Sequence, residues 1–122
     1  MTSRALHQRA LLLAATLGLL AGASACGGDS VGPTGITVGG PCQAANDCDQ
    51  TCLNSGDWPD GTCVTSCDTD ADCPDGTHCI DTNGGVCLLA CQTSADCRAN
   101  YECDAERNKG HGGDSLICKG DN

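Results

Sequence analysis

The chain has 122 residues, a formal net charge of −10, thirteen cysteines, one tryptophan, one tyrosine and no phenylalanine. So few large apolar side chains cannot offset backbone ordering at ~1–2 kcal/mol per residue, which excludes a domain held by hydrophobic burial alone. The acidic balance argues against nucleic acid as a partner, because phosphate binding needs basic patches.

Residues 1–9 carry Arg4, His7 and Arg9 and no acid, and Ala10 to Ala25 hold no charge and are dense in leucine and alanine. A charged start, a short apolar run and small residues before a cut predict a removable export signal over 1–25. The sixteen uncharged residues fall short of the ~20 that span a bilayer as a helix. Ala23-Ser24-Ala25-Cys26 resembles the lipobox of bacterial lipoproteins. That resemblance implies diacylglycerol on Cys26 and a lipid-anchored protein of the outer membrane or cell surface, with the membrane as a partner through this lipid. The same Ala-x-Ala also suits ordinary signal peptidase, which would release a secreted chain. Parity favours the anchor: one cysteine set aside from thirteen leaves six pairs, and acylation removes an unpaired thiol.

Residues 27–41 (GGDSVGPTGITVGGP) hold six glycines, two prolines and no cysteine. The span 26–41 is therefore expected to be a lipid-anchored flexible tether, about 20 Å long on average for a Gly-rich chain.

Three modules of four cysteines follow, over 42–63, 67–87 and 91–118. Module 1 is Cys42-x5-Cys48-x3-Cys52-x10-Cys63, module 2 is Cys67-x5-Cys73-x5-Cys79-x7-Cys87, and module 3 is Cys91-x5-Cys97-x5-Cys103-x14-Cys118. Three residues separate consecutive modules, and Asp47, Asp72 and Asp96 each precede the second cysteine. A fixed period of this kind marks a repeated supersecondary unit. An aspartate there can accept backbone N–H groups and fix a tight turn. Pro59-Asp60-Gly61, Pro74-Asp75-Gly76 and Asn83-Gly84-Gly85 are turn signals leading into cysteines. The expected fold class is small and disulfide-rich: three tandem four-cysteine modules of short β-ribbons and turns, with little helix beyond one turn at 95–99.

Export to an oxidising compartment favours disulfides over the zinc sites that the x3 gaps could otherwise suggest. Four cysteines allow three pairings per module. Crossed pairing, first to third and second to fourth, ties a coreless unit more completely than two side-by-side loops. It gives Cys42–Cys52, Cys48–Cys63, Cys67–Cys79, Cys73–Cys87, Cys91–Cys103 and Cys97–Cys118; the x3 gaps between modules leave other groupings open.

The modules resemble the cysteine-rich repeats of many lipoproteins of myxobacteria and related bacteria. They are also distantly similar to Dickkopf N-terminal and EB-type modules, through Asp70-Ala71-Asp72-Cys73-Pro74-Asp75-Gly76-Thr77-His78-Cys79. This resemblance implies extracellular binding or spacing and no catalysis.

Sixteen acidic residues against Arg98, Arg107, Lys109 and Lys119 leave about −12 after Cys26, a charge that keeps a small exported domain soluble. Asp68, Asp70, Asp72 and Asp75 form the one sharp acidic cluster and are the calcium candidates. Cys73 stands where an EF-hand needs glycine, so a solvated turn is the competing expectation. His78 and His111 have no motif around them, and with oxidised cysteines there is no thiol nucleophile; no catalytic residue and no other cofactor is expected. His111, in a glycine-flanked loop, could at most ligate a surface metal. Trp58 is either an exposed binding anchor or the cover over a disulfide.

These residues lead to a non-enzymatic, lipid-anchored, extracytoplasmic protein whose modules form a spacer or binding stalk toward a protein or cell-surface partner. Two rivals remain. One is a secreted inhibitor or ligand-like module, with room for a protruding loop at 53–62 and 104–117 and Arg107 and Lys109 in the second. The other is a calcium-dependent adhesion module.

Overall fold

Residues 30–121 are described by the computed structural model; the segment expected to be an export signal and Cys26 lie outside the described residues. Each module repeats one plan. A short loop from the first cysteine makes a single 3-10 turn, at Ala45–Asp47, Asp70–Asp72 or Ser94–Asp96, and a two-stranded antiparallel ribbon follows. The ribbons are β1 (Thr51–Leu53) with β2 (Thr62–Val64), β3 (Thr77–Ile80) with β4 (Val86–Leu89), and β5 (Tyr101–Arg107) with β6 (Asp114–Gly120).

The aspartate before the second cysteine builds the 3-10 turn. Asp47 Oδ2 accepts the N–H groups of Gln43 and Ala44 at 2.8 and 3.1 Å. Asp72 takes those of Asp68 and Thr69 at 2.9 and 3.1 Å, and Asp96 those of Gln92 and Thr93 at 2.9 and 3.2 Å. Each turn stops at the following cysteine, whose backbone is extended. The single helical turn expected at 95–99 therefore lies at Ser94–Asp96 and recurs in all three modules. Its cause is the carboxylate cap rather than helix propensity.

The third and fourth cysteines of each module face each other across the ribbon: Cys52 and Cys63, Cys79 and Cys87, Cys103 and Cys118. Each bonds back to the capped loop instead of to its neighbour. The disulfides are Cys42–Cys52, Cys48–Cys63, Cys67–Cys79, Cys73–Cys87, Cys91–Cys103 and Cys97–Cys118. Both strands of every ribbon are thus stapled to the same turn.

Consecutive modules share strands. The last strand of one module runs directly into the segment that pairs beside the last strand of the next. Cys67 N–H donates to Gly85 O at 3.0 Å and Cys87 N–H to Thr65 O at 2.9 Å; Ala90 bridges Ile117, with Cys91 N–H donating to Leu116 O at 3.3 Å. In module 1, residues 38–40 take that role: Gly39 N–H donates to Cys63 O at 2.9 Å and Cys63 N–H to Gly40 O at 2.8 Å. Val38 lies four residues before Cys42, where Cys63 and Cys87 stand before Cys67 and Cys91. It is fully buried against Cys67, Cys79 and Cys87. Residues 30–41, expected within the flexible tether, are therefore part of the folded body, because module 1 needs an entry strand and the glycines let it pack closely.

Trp58, Val64, Ile80, Val86, Leu88, Tyr101, Ile117 and Cys118 form one buried cluster drawn from all three modules. The ring closes between modules 1 and 3: Tyr101 Oη donates to Pro59 O at 2.9 Å, Arg98 reaches Gly61 O and lies 4.2 Å over the Tyr101 ring, and Gly120 N–H donates to Asp57 O at 3.1 Å. Lys119 occupies the place that Val64 and Leu88 hold one residue after the fourth cysteine. Its ammonium bonds Glu106 at 2.6 Å.

Candidate functional site

Of the calcium candidates, three have their carboxylates engaged within the protein. Asp72 caps the turn; Asp68 pairs with Lys109 at 2.9 Å; Asp70 Oδ1 accepts Cys79 N–H at 2.7 Å and Asn108 Nδ2–H at 2.9 Å. Asp75 sits exposed in the turn before β3. Among the described residues, the only groups of three metal-ligating side chains within 4.8 Å of one another are cysteines, all of them oxidised to disulfides. Burial alone would raise Asp70, but the bonds from Cys79, Asn108 and His78 outweigh it and hold its pKa below the ordinary value. Backbone N–H bonds lower Asp47, Asp72 and Asp96 in the same way.

His78 and His111 come together at Asp70, with ring nitrogens 3.4 and 3.9 Å from Oδ2. Sequence reasoning gave no link between residues in different modules. The contact arises because 104–117, expected to have room for a protruding loop, is mostly ribbon. Strands β5 and β6 pair as far as Arg107 and Asp114, leaving a turn only at 108–113. That turn docks on module 2 through Asp81 N–H to Arg107 O at 2.8 Å and Lys109 N–H to Cys79 O at 2.9 Å. Asn108, 1% exposed, bonds Asp70 and Ser115 at 2.9 and 3.1 Å.

Trp58 is buried in the shared core, 8% exposed, rather than presented as an exposed anchor. The segment 53–62 is tied to module 3 through the carbonyls of Asp57, Pro59 and Gly61, while residues 54–57 and Asp60 stay exposed. Where 55–58 meets modules 2 and 3, a cleft of about 240 Å³ opens over Ile80 and Leu88, rimmed by Asn83, Glu106 and Lys119. The bond to Glu106 raises the Lys119 pKa above its ordinary value.

Two further hollows are repeats of one another. The module 1 hollow is about 570 Å³ and is lined by Pro41, Cys42, Gln43, Asp47, Asp60 and Gly61, with Asn54 at its edge. The module 2 hollow is about 360 Å³ and is lined by Ser66, Cys67, Asp68, Asp72 and Gly84. Pro41 and Ser66 precede the first cysteine, Gln43 and Asp68 follow it, Asp47 and Asp72 precede the second, and Asp60 and Gly84 stand three before the fourth. Gly61 and Gly85 have φ of 70° and 106°. A Cβ at either would collide with the carbonyl oxygen of the first cysteine, so the turn can pack this closely only on glycine. In module 2, three of these lining residues also bond the Lys109 ammonium of module 3, which donates to Gly84 O at 2.8 Å, Asp68 Oδ1 at 2.9 Å and Cys67 O at 3.3 Å.

In comparisons with known proteins, no family model, curated protein or solved structure matches the chain.

Proposed function

We propose that this chain is an exported, lipid-anchored, non-enzymatic binding protein that presents one compact disulfide-stapled head to a protein or cell-surface partner. The observation that carries the binding reading over a spacer is the shared core: three modules wrapped around one apolar cluster make a head with concave faces, not a string of separate units. Six disulfides within 92 described residues fit export into an oxidising compartment. The anchor rests on Ala23-Ser24-Ala25-Cys26 and on cysteine parity.

The secreted-inhibitor reading draws less support, since Lys109 is engaged in module 2 rather than offered to a protease. Calcium-dependent adhesion is weakened by the dispersal of Asp68, Asp70 and Asp72 among other partners. Intact mass of the protein from its native membrane fraction tests the proposal. The expected species begins at acylated Cys26 and gains about twelve daltons on reduction. An unacylated chain recovered from the medium would refute the anchor.

A further inference from the structure

We propose that Asp70, His78 and His111 form a site for zinc or a similar late transition-metal ion, which ties the module 3 turn to module 2. The site goes beyond the binding reading above and does not depend on the anchor.

The repeat does not need the atom at which these residues meet. Asp72, not Asp70, caps the turn of module 2. Modules 1 and 3 carry Ala45 and Ser94 at the Asp70 position, and Thr51 and Glu102 at the His78 position. Asp70 Oδ1 accepts the N–H of the third cysteine, Cys79, at 2.7 Å. In module 3 a hydroxyl does the same, Ser94 Oγ accepting Cys103 N–H at 3.0 Å. The second carboxylate oxygen of Asp70 is therefore surplus to the scaffold. Both histidines of the described residues stand at that oxygen, His78 from β3 and His111 from the β5–β6 turn.

Their ring nitrogens lie 3.4 and 3.9 Å from Oδ2, longer than the about 2.7–3.2 Å of ordinary N–H···O bonds. The spacing is closer to the about 3.3 Å that separates two ligands on one tetrahedral zinc. Bonds from Cys79 N–H and Asn108 Nδ2–H to Oδ1 hold the carboxylate in place, the support that metal ligands take from the residues behind them. Asn108 is 1% exposed and stands three residues before His111, so one buried amide orients Asp70 and fixes the turn that carries His111. The two ring nitrogens are more than 4.8 Å from each other. His111 is the member that closes this gap: its side chain is 54% exposed, glycines flank it, and a long 3.4 Å bond from Gly113 N–H meets its Nδ1. Two imidazoles with one carboxylate suit zinc and its neighbours, whereas calcium takes oxygen ligands. The acidic surface raises the local concentration of cations.

The test is a calorimetric zinc titration of the oxidised, untagged, exported protein, followed by amide hydrogen exchange with and without zinc. The expected result is one zinc per chain at the tightest site. His78→Gln and His111→Gln, both open to solvent, should each weaken that site by at least about tenfold and leave the fold intact. Zinc should slow exchange at Asp81 and Lys109, whose N–H groups hold the turn to module 2, and should lose this effect in His111→Gln. Calcium in place of zinc should do neither. Equal zinc affinity in the unaltered protein and in either variant would overturn the inference. So would unchanged exchange at Asp81 and Lys109, or a calcium effect equal to that of zinc.

Discussion

Modules 1 and 2 carry the same crossed staple and the same carboxylate-capped turn, yet their surroundings differ in kind. Module 2 is flanked on both sides by sibling modules. Its entry strand comes from module 1, its β3–β4 ribbon receives the module 3 turn, and Lys109 of module 3 bonds Cys67, Asp68 and Gly84. Module 1 takes its entry strand from the glycine-rich residues 38–40, and its hollow faces outward. The staple sets the shape of a module, and its neighbours decide which of its faces are buried.

The strongest way to break this comparison is Trp58→Ala. If the module 1 loop contributes to the common core, the loss should be about 3–5 kcal/mol and should be felt in modules 2 and 3 as well. Denaturant titration read at individual amides checks this; a loss confined to module 1 would separate the modules.

Replacing Cys73 and Cys87 together by serine should cost about 2–5 kcal/mol. Because module 2 is the central link, protection of Ile117 and Val64 amides should fall with it. The matching pair of module 1, Cys48 and Cys63, should do less damage beyond module 1. Hydrogen exchange on the two variants tells them apart.

Val38→Ala sharpens the claim that 30–41 is an entry strand. Removing two buried methyl groups should cost about 2 kcal/mol, whereas an uninvolved tether would show no change in thermal midpoint.

The smallest expected effect is on pH dependence. The folded pKa values of Asp47, Asp70, Asp72 and Asp96 are all lowered. Their stabilisation is complete above the unfolded aspartate value of about 3.9 and is lost as pH falls through the lower folded values. Thermal midpoints should hold steady down to about pH 5 and decline toward about pH 2. Module 2, with two such aspartates, should loosen first.

Much of this fold was readable from local pattern. Cysteine spacing marked the three modules, and an aspartate one residue before a cysteine marked each turn, because both are short-range signals. The role of Val38 was hidden because valine, not cysteine, stands at the register position where a previous module would end. Nothing near Lys109 or Asn108 in sequence points to Cys67, Asp68 or Asp70, which lie about forty positions away. A turn rich in glycine reads as a free loop until the surface that receives it is known. Trp58 was open between two readings for the same reason: which side of the loop faces the core depends on module 3.

The central claim is that residues 30–121 form one cooperative body with a shared core. The direct test follows amide signals of Cys52, Cys79 and Cys103, one in each ribbon, through guanidinium unfolding with the disulfides intact. The account predicts coincident transitions at the three positions. Three separate midpoints, with module 1 unfolding while modules 2 and 3 stay native, would contradict it.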